Sequence, residues 1–456
     1  MSSTLHIKPE DVATSEKRTK YTVTIIGCGQ AGALSSCLFA DAGFKVICAD
    51  ADQTLVDLLA KGKTAFAHHD MEIKLKNHVK TGQLTATSDI KAAVSKGSII
   101  IINTPVEIDQ KGKPDYSNIE KTCKIVGASA HQDSVIIVTS TVGTGILEST
   151  VRETLENTSG FKIGTDLGLA YSPLRMSQEQ TLETRPSYEQ IVAALDKTSL
   201  DAASTILETA TRSDLRKTLS VKTAEIAVLF EAAQRDVNNA LLNELAVFCE
   251  KAGADYVEAQ RLLRTNASAT ILPAPTEGST EDAASLLLED AEDLNTKLRT
   301  VAVAKEINEE MAKHIANLIR DALRNCGKTL RRARICLLGI SQAPNMKSSP
   351  KKLAKELARI LEARGAKVSV YDPYFIHEVT ETQRYLKKSL TEALEGADCL
   401  ALVTPHDQFK RLNLRKLKAV MKMPAAIIDL DGVFEPDKIE KEGFTYRALG
   451  RGVWPK

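Results

Sequence analysis

The sequence predicts an α/β protein: two Rossmann-like, doubly wound parallel-sheet domains joined by a long central helix. Three stretches carry this reading. Near the N-terminus a β-rich run leads through a glycine-rich turn into a helix, and then into a second strand that ends in an acid. In the last third of the chain, short β-like runs alternate again with helical ones. Between them Val221–Gly253 has no proline, no glycine before Gly253, and is dominated by good helix formers. The expected division is a flexible tail over 1–20, a dinucleotide-binding domain over 21–219, a central helical domain over 220–325 and a second Rossmann-like domain over 326–456.

At 456 residues the chain is long enough for two or three domains. Its 43% apolar and 26% charged content is that of a soluble globular protein. A net charge of +1 gives no bulk attraction to nucleic acid or to a membrane surface. The aliphatic run Ile99–Ile102 is far too short to span a bilayer. The segment MSSTLHIKPEDVATSEKRTK lacks the apolar core of a secretory signal. Cys28, Cys37, Cys48, Cys123, Cys249, Cys326, Cys336 and Cys399 are scattered singly with no CxxC, which suits a reduced, cytoplasmic protein with buried thiols.

In the first domain, Tyr21–Ile26 reads as a strand. It runs into Gly27-Cys28-Gly29-Gln30-Ala31-Gly32, then a helix over Ala33–Ala42, a turn at Gly43-Phe44 and a strand over Lys45–Ala49 that ends at Asp50. A bare GxGxxG is weak; one placed between strand and helix and followed by an acid is specific. The glycines let the backbone approach a pyrophosphate at a helix N-terminus, and the acid binds ribose hydroxyls. That acid disfavours a 2′-phosphate, so the expected cofactor is NAD, held by Gly27, Gly29, Gln30, Ala31, Gly32 and Asp50. The alternative is a domain of this fold that has lost its cofactor. Further strands over Ser98–Ile102 and Val135–Thr139 end in Asn103-Thr104-Pro105 and in Ser140–Gly145, which should face the cofactor. His68-His69-Asp70 reads as a surface turn, and no metal site is expected.

In the central stretch Ile226, Phe230, Val237, Leu241, Leu245 and Phe248 share one helical face and are expected to form its packing stripe; Gly253 is a fitting stop. In the last domain Ile335–Gly339, Lys367–Tyr371, Asp398–Val403 and Ala425–Asp429 read as strands, separated by helices such as Pro350–Arg364 and Leu390–Gly396. The cluster Lys328, Arg331, Arg332 and Arg334 reads as a solvated lead-in to a strand, since no aromatic platform for nucleic acid accompanies it.

These residues, with VTIIGCGQAGALSSCLFADAGFKVICADAD, GKPDYSNIE, STVGTG, AYSPLR, AEIAVLF, NNALLNELAVFCEKAGAD, AKEINEEMAKHI and GAKVSVYDPY, resemble the nucleotide-sugar dehydrogenases. That family includes the UDP-glucose, UDP-N-acetylmannosamine and GDP-mannose 6-dehydrogenases. The resemblance runs in order from about residue 21 onward. It implies an NAD domain, a helical middle that forms a homodimer, and a C-terminal domain for a nucleotide sugar. It carries over Gly27, Gly29, Gly32, Asp50, Pro105 and Thr141 on the cofactor side, and Arg175, Asn238 and Asn345 on the substrate side. Lys347, Lys351 and Lys352 lie near the family's nucleotide site, where they either bind a diphosphate or cap the surface.

The same resemblance exposes what is missing. The family oxidises a sugar CH2OH to a carboxylate with two NAD, through a thiolate, an oxyanion-stabilising set and a carboxylate. Where the family has a Gly-rich cysteine loop, residues 266–294 hold no cysteine. Cys249, within the central helix, is no substitute. Val228, Ala232 and Leu174 stand where the family has Lys, Asn and Glu, and Ala343 stands where it has Lys. The arginine of its Arg-Glu-Ser-Pro is absent, and Asp429-Leu430-Asp431 lacks the arginine of its Asp-Gly-Arg. Residues 277–293 carry seven acids and no Lys or Arg. Over a sugar site they would repel an anionic UDP-sugar, by about 1 kcal/mol per like-charge contact even in water; alternatively they form a solvated segment elsewhere. The expectation is therefore an NAD-binding relative with no catalytic residues, a regulatory or structural partner such as a companion of an active dehydrogenase, binding neither nucleic acid nor membrane. The alternative is an active NAD-dependent UDP-sugar oxidoreductase of polysaccharide or glycan precursor synthesis that uses different residues.

Overall fold

Strands of Ile and Val with no polar alternation need cover on both faces, and parallel sheets provide it. The computed structural model describes residues 3–64, 69–109, 113–174, 189–211, 214–263, 283–345, 350–375 and 385–452. The chain divides into two compact units: Met1–Ala233 with Asp282–Lys297, and Gln234–Glu281 with Leu298–Lys456.

Unit 1 contains β1 (Thr22–Ile26), β2 (Lys45–Ala49), β3 (Leu84–Thr87) and β4 (Ile99–Ile102), a small antiparallel pair β5 (Glu107–Ile108) and β6 (Pro114–Asp115), then β7 (Val135–Val138), β8 (Gly168–Tyr171), β9 (Gln190–Ala194) and β10 (Leu215–Thr218). The main sheet has the order β10-β9-β8-β7-β4-β1-β2-β3. All its pairs are parallel except β8 with β9. β4 and β7 are buried along their whole length. Val23, Ile25, Phe44 and Ile101 feed the core on one face; Ile26, Ile100, Ile102 and Val138 feed the other. The helix after β1 spans Gln30–Asp41, three residues earlier than its apolar pattern suggests, because the glycine turn itself begins it.

The N-terminal residues expected as a flexible tail are packed instead. Leu5, Ile7 and Val12 are buried in the core of unit 1. The Arg18 guanidinium donates to the carbonyls of Val12, Ala13 and Ala42. Ser15 sits against Gly43, whose φ of +96° and lack of a Cβ allow the approach. Three isolated apolar residues among polar ones show no periodicity, so only the fold reveals their burial.

Unit 2 contains β11 (Arg334–Leu338), β12 (Lys367–Tyr371), β13 (Cys399–Leu402), β14 (Ala426–Asp429) and β15 (Thr445–Ala448). They form a wholly parallel sheet of order β12-β11-β13-β14-β15. The helix Lys352–Ala363 and the longer Arg299–Asn325 bury Leu357, Leu361, Ile315 and Ile319 against it.

The central helix spans Val221–Ala252 and stops at Gly253, whose φ is +69°. Its buried face differs from the expected one. Val221 and Ala224 are buried in a core of unit 1 and Leu242 and Ala246 in one of unit 2; Leu229, Ala232, Ala233 and Ala240 are buried as well. Phe230 is 59% exposed, Leu241 52%, Leu245 38% and Phe248 66%. Periodicity identifies residues that share a face, but this helix has two apolar faces, and the smaller residues meet the chain's own core. In unit 2 the Asn243 amide donates to Asn308 Oδ1 at 2.9 Å and His314 Nε2 lies 2.9 Å from Glu250 Oε2, which joins this helix to Arg299–Asn325. All eight cysteines are free. Among the described residues no helix is long and apolar enough to cross a membrane.

Candidate functional site

The sheet order in unit 1 reverses between β1 and β4, and the crevice outside the carboxyl ends of the strands is where such sheets bind ligands. The glycine loop after β1 lies there. Gly27 has φ +105°, donates its N–H to Ala49 O at 2.8 Å, and a Cβ on it would lie 2.7 Å from Asn103 O. A Cβ on Gly32 would lie 1.7 Å from Gly27 O. These two glycines let the turn close on itself and on the loop after β4. Gly29 differs: nothing lies within 4 Å of its would-be Cβ. It caps the helix Gln30–Asp41 without a side chain, and the leading N–H groups of a helix lack intrahelical partners. Open space over a helix N-terminus, with Gln30 and Ala31 in its first turn, is a cradle that fits a pyrophosphate.

Asp50, at the end of β2, accepts from Cys28 N at 2.6 Å and from Asp52 N at 2.9 Å, which fixes its carboxylate beside the glycine loop. Pro105 is exposed just after β4 and Thr141 is half-buried just after β7. Thr139 Oγ1 donates to Ile102 O at 3.1 Å and joins those two strand ends. The structure thus places Gly27, Gly29, Gln30, Ala31, Gly32, Asp50, Pro105 and Thr141 along one carboxyl edge of one sheet.

Beside that edge is a constellation the sequence reading passed over. The Gly143 N–H donates to Tyr116 Oη at 3.0 Å and the Thr144 N–H to Asp290 Oδ2 at 2.8 Å. The Gly145 and Leu147 N–H groups donate to the two oxygens of Glu225, at 2.6 and 2.9 Å. Tyr116 follows β6, Glu225 lies in the first turns of the central helix, and Asp290 lies on the helix Ala283–Asp293. Lys113 Nζ, 2.9 Å from Glu289 Oε1, ties that acidic helix to the β5–β6 pair. Burial pushes the Glu225 carboxyl up to about 7; the Leu147 and Gly145 amides oppose this, and Asp290 and Glu148 add to it. Burial likewise pushes the Tyr116 phenol up to about 12.

Tyr116 and Glu225 stand inside GKPDYSNIE and AEIAVLF, so the motifs marked the residues without revealing their shared loop. The described part of the acidic segment is the helix Ala283–Asp293, and it lies against the loop after β7 rather than elsewhere. Asp290 is docked on the Thr144 amide, while Glu292 and Asp293 are exposed. Glu277, Glu281 and Asp282 lie outside the described residues.

The remaining expected positions separate. In unit 1 Val228 is half-buried, Ala232 is buried, and Leu174 is half-buried with its N–H on Thr139 O at 3.2 Å. Arg175 and Lys347, like His68, lie outside the described residues. In unit 2 Asn238 is exposed on the central helix. Asn345, with φ +59°, donates its N–H to His406 Nδ1 and accepts from Asp407 N, both at 2.8 Å. His406 Nε2 lies 3.1 Å from Asp372 Oδ2, which also accepts from the N–H groups of Ile340 and Ser341 and from Ser341 Oγ. Burial works to raise the Asp372 carboxyl, but His406, Ser341 and the Tyr374 N–H hold it below its ordinary value. Lys351 is buried, with its N–H on Ile340 O at 2.7 Å, and Lys352 is exposed.

Residues 21–211 match the NAD binding domain of the UDP-glucose/GDP-mannose dehydrogenase family, 222–310 its central domain and 337–436 its UDP binding domain. The chain belongs to that family. Its cofactor is NAD. The chain is 27% identical to a UDP-glucose 6-dehydrogenase of Rhizobium meliloti over 453 residues, covering 94% of this chain and 99% of the relative. It is 26% identical to a UDP-N-acetyl-D-mannosamine dehydrogenase of Pyrococcus horikoshii over 437 residues, covering 94% and 99%. Among solved structures, the fold is shared with a UDP-D-ManNAc dehydrogenase from Pyrococcus horikoshii at TM-score 0.81 and 24% identity, covering 94% of this chain and 99% of that one. It is also shared with a UDP-glucose dehydrogenase from Pyrobaculum islandicum at TM-score 0.77 and 18% identity, covering 94% and 98%.

The glycines of this dehydrogenase family member divide by role, and two substitutions separate the roles. Gly29→Ala is expected to change stability by no more than about 0.5 kcal/mol while weakening NAD binding at least about tenfold, or about 1.4 kcal/mol. Gly32→Ala is expected to cost about 3 kcal/mol of stability. Urea unfolding and NAD titration calorimetry on both variants check this; an unchanged NAD affinity in Gly29→Ala refutes the cradle.

Glu225 predicts a pH dependence. Its carboxyl titrates near about 7 in the folded protein against an ordinary 4.5, so the folded state holds more protons between those values. The stability it contributes is present below about pH 4.5 and is lost as pH rises to about 7, by about 3 kcal/mol at most. Glu225→Gln is expected to flatten that slope, whatever its absolute stability. Identical slopes for variant and wild type in urea unfolding across this range would sink the assignment.

Proposed function

We propose that this member of the family binds NAD(H) and has lost the four-electron oxidation of a UDP-sugar to a uronate, serving as a regulatory or structural partner in the cytoplasm. The observation that carries this reading is the loop after β7. Its amides at Gly143, Thr144, Gly145 and Leu147 are all engaged by Tyr116, Asp290 and Glu225. Donors that already hold the protein's own carboxylates cannot stabilise a developing oxyanion. Val228 and Ala232, on the same helix as Glu225, bring no charge or amide of their own, and losing one oxyanion donor alone costs about 10²–10³ in rate. The NAD that Gly27–Gly32 and Asp50 fit would supply hydride acceptance; this chain's residues supply its binding and orientation.

One observation favours a second reading, an active UDP-sugar oxidoreductase that works with different residues. Glu225, with its carboxyl near about 7, and Asp290 stand at the carboxyl edge of the cofactor sheet. Glu225 itself is fully buried, so the half-buried Asp290 is the carboxylate that suits a general base for a single hydride transfer. Incubation with NAD and a panel of UDP- and GDP-sugars decides between the two. The first reading expects a thermal shift with NAD and no steady formation of NADH; steady turnover with any sugar overturns it.

We further infer a homodimer through the central helix. Leu241, Leu245 and Phe248 form an exposed apolar stripe over two turns, and Val303 on the helix Arg299–Asn325 is 53% exposed. A stripe on one helix meets its own copy about a two-fold axis without a second surface. Leu241→Glu with Phe248→Glu is expected to halve the mass in sedimentation while leaving the NAD-induced thermal shift intact. A monomeric wild type refutes the dimer.

A further inference from the structure

The helix Gln30–Asp41 that begins at the cofactor cradle carries a second set of functional groups at its other end. Cys37 and Asp41 are one turn apart on it, and so share a face. The helix His69–Lys80 brings His78 to them. The Cys37 sulfur, an Asp41 carboxylate oxygen and a His78 ring nitrogen all lie within 4.8 Å of one another. His78 Nε2 is 2.6 Å from Asp41 Oδ1. Lys74 Nζ holds the other carboxylate oxygen at 3.0 Å, which leaves Oδ1 turned toward the imidazole. Cys37 is fully buried, whereas the side chains of Asp41 and His78 are 32% and 15% exposed. The cluster is thus closed on the sulfur side and open to water on the other.

We propose that Cys37, Asp41 and His78 form a binding site for a borderline-soft divalent metal of the Zn2+ class, with water in the fourth position. One sulfur, one nitrogen and one carboxylate oxygen are the donors Zn2+ takes, and three protein ligands plus water make a tetrahedral site. Thiolate and carboxylate bring two negative charges to the dication, against which the Lys74 ammonium on the second carboxylate oxygen sets one positive charge. Burial and the nearby Asp41 push the Cys37 thiol up to about 12 despite Lys74, so the metal-free sulfur carries its proton at neutral pH. Binding forms the sulfur–metal bond and releases that proton to solvent, with no change of oxidation state; a coordinating thiol is deprotonated outright. The bound ion would join two helices that pack on the first strands of the cofactor sheet, at the end remote from Gly27–Gly32. The donors come from positions 37, 41 and 78, a spacing with no local motif, which is why the sequence by itself points to no metal.

The test uses the full chain, stripped of metal by chelator and titrated with Co2+ alone. The expected result is a thiolate-to-cobalt charge-transfer absorption that saturates stoichiometrically and is displaced by Zn2+, with a rise in melting temperature on adding Zn2+. Cys37→Ser is expected to lose the absorption and Cys249→Ser to keep it. Because Cys37 is fully buried, the partly exposed His78→Gln serves as the second variant; it is expected to fold without metal and to lose the Zn2+-induced rise in melting temperature. No charge-transfer band in the wild type, or a band that survives in Cys37→Ser, overturns the site. So does a Zn2+-induced rise that is unchanged in His78→Gln.

Discussion

The hydrogen bonds between the loop 143–147 and the carboxylates of Glu225 and Asp290 organise unit 1. A buried N–H without a partner costs about 1–3 kcal/mol, and this loop turns several inward at once. Glu225 satisfies two of them from the central helix, Asp290 one from the acidic helix, and Tyr116 one from the end of β6. Three segments far apart in the chain are thereby held at the carboxyl edge of one sheet. The same bonds explain why a fully buried glutamate is tolerated, since its two oxygens each accept from the backbone.

That arrangement has a chemical consequence. The edge of unit 1 combines a glycine cradle open to a dinucleotide with a neighbouring loop whose amides are already in use. Binding and catalysis make different demands on such an edge. Binding needs open backbone at a helix N-terminus, which Gly29 leaves. Charge stabilisation needs donors that are idle before reaction, and the amides of Gly143, Thr144, Gly145 and Leu147 already have partners. In unit 2 the corresponding edge also satisfies itself: Asp372 gathers His406, Ser341 and the Ile340 amide, and Asn345 is engaged by His406 and Asp407.

Legibility in the sequence tracked locality. The turn at Gly27–Gly32, the helix after it and Asp50 were readable because each depends on residues within one βαβ unit. The end of the central helix was readable because Gly253 punctuates it, and its length because no proline or glycine interrupts it before that point. β3, β8, β9, β10 and β15 were not anticipated. Each has at most five residues, and an edge strand such as β10 carries Arg216 and Lys217 in place of an apolar alternation. Leu5, Ile7 and Val12 were missed because sparse apolar residues become core only when a sheet lies beneath them.

The sequence by itself determined the two parallel sheets, the helix between them, the nucleotide cradle and the family. All of these rest on short-range patterns of apolar spacing, glycine conformation and motif order. Only the tertiary structure decided which face of the central helix is covered, with Ala232 and Ala246 inside and Phe230 and Phe248 outside. It alone seated Asp290 on Thr144 and brought His78 to Cys37 and Asp41. The physical reason is the same in each case. Periodicity records which residues share a face, whereas burial and hydrogen bonding depend on what a distant part of the chain brings to that face.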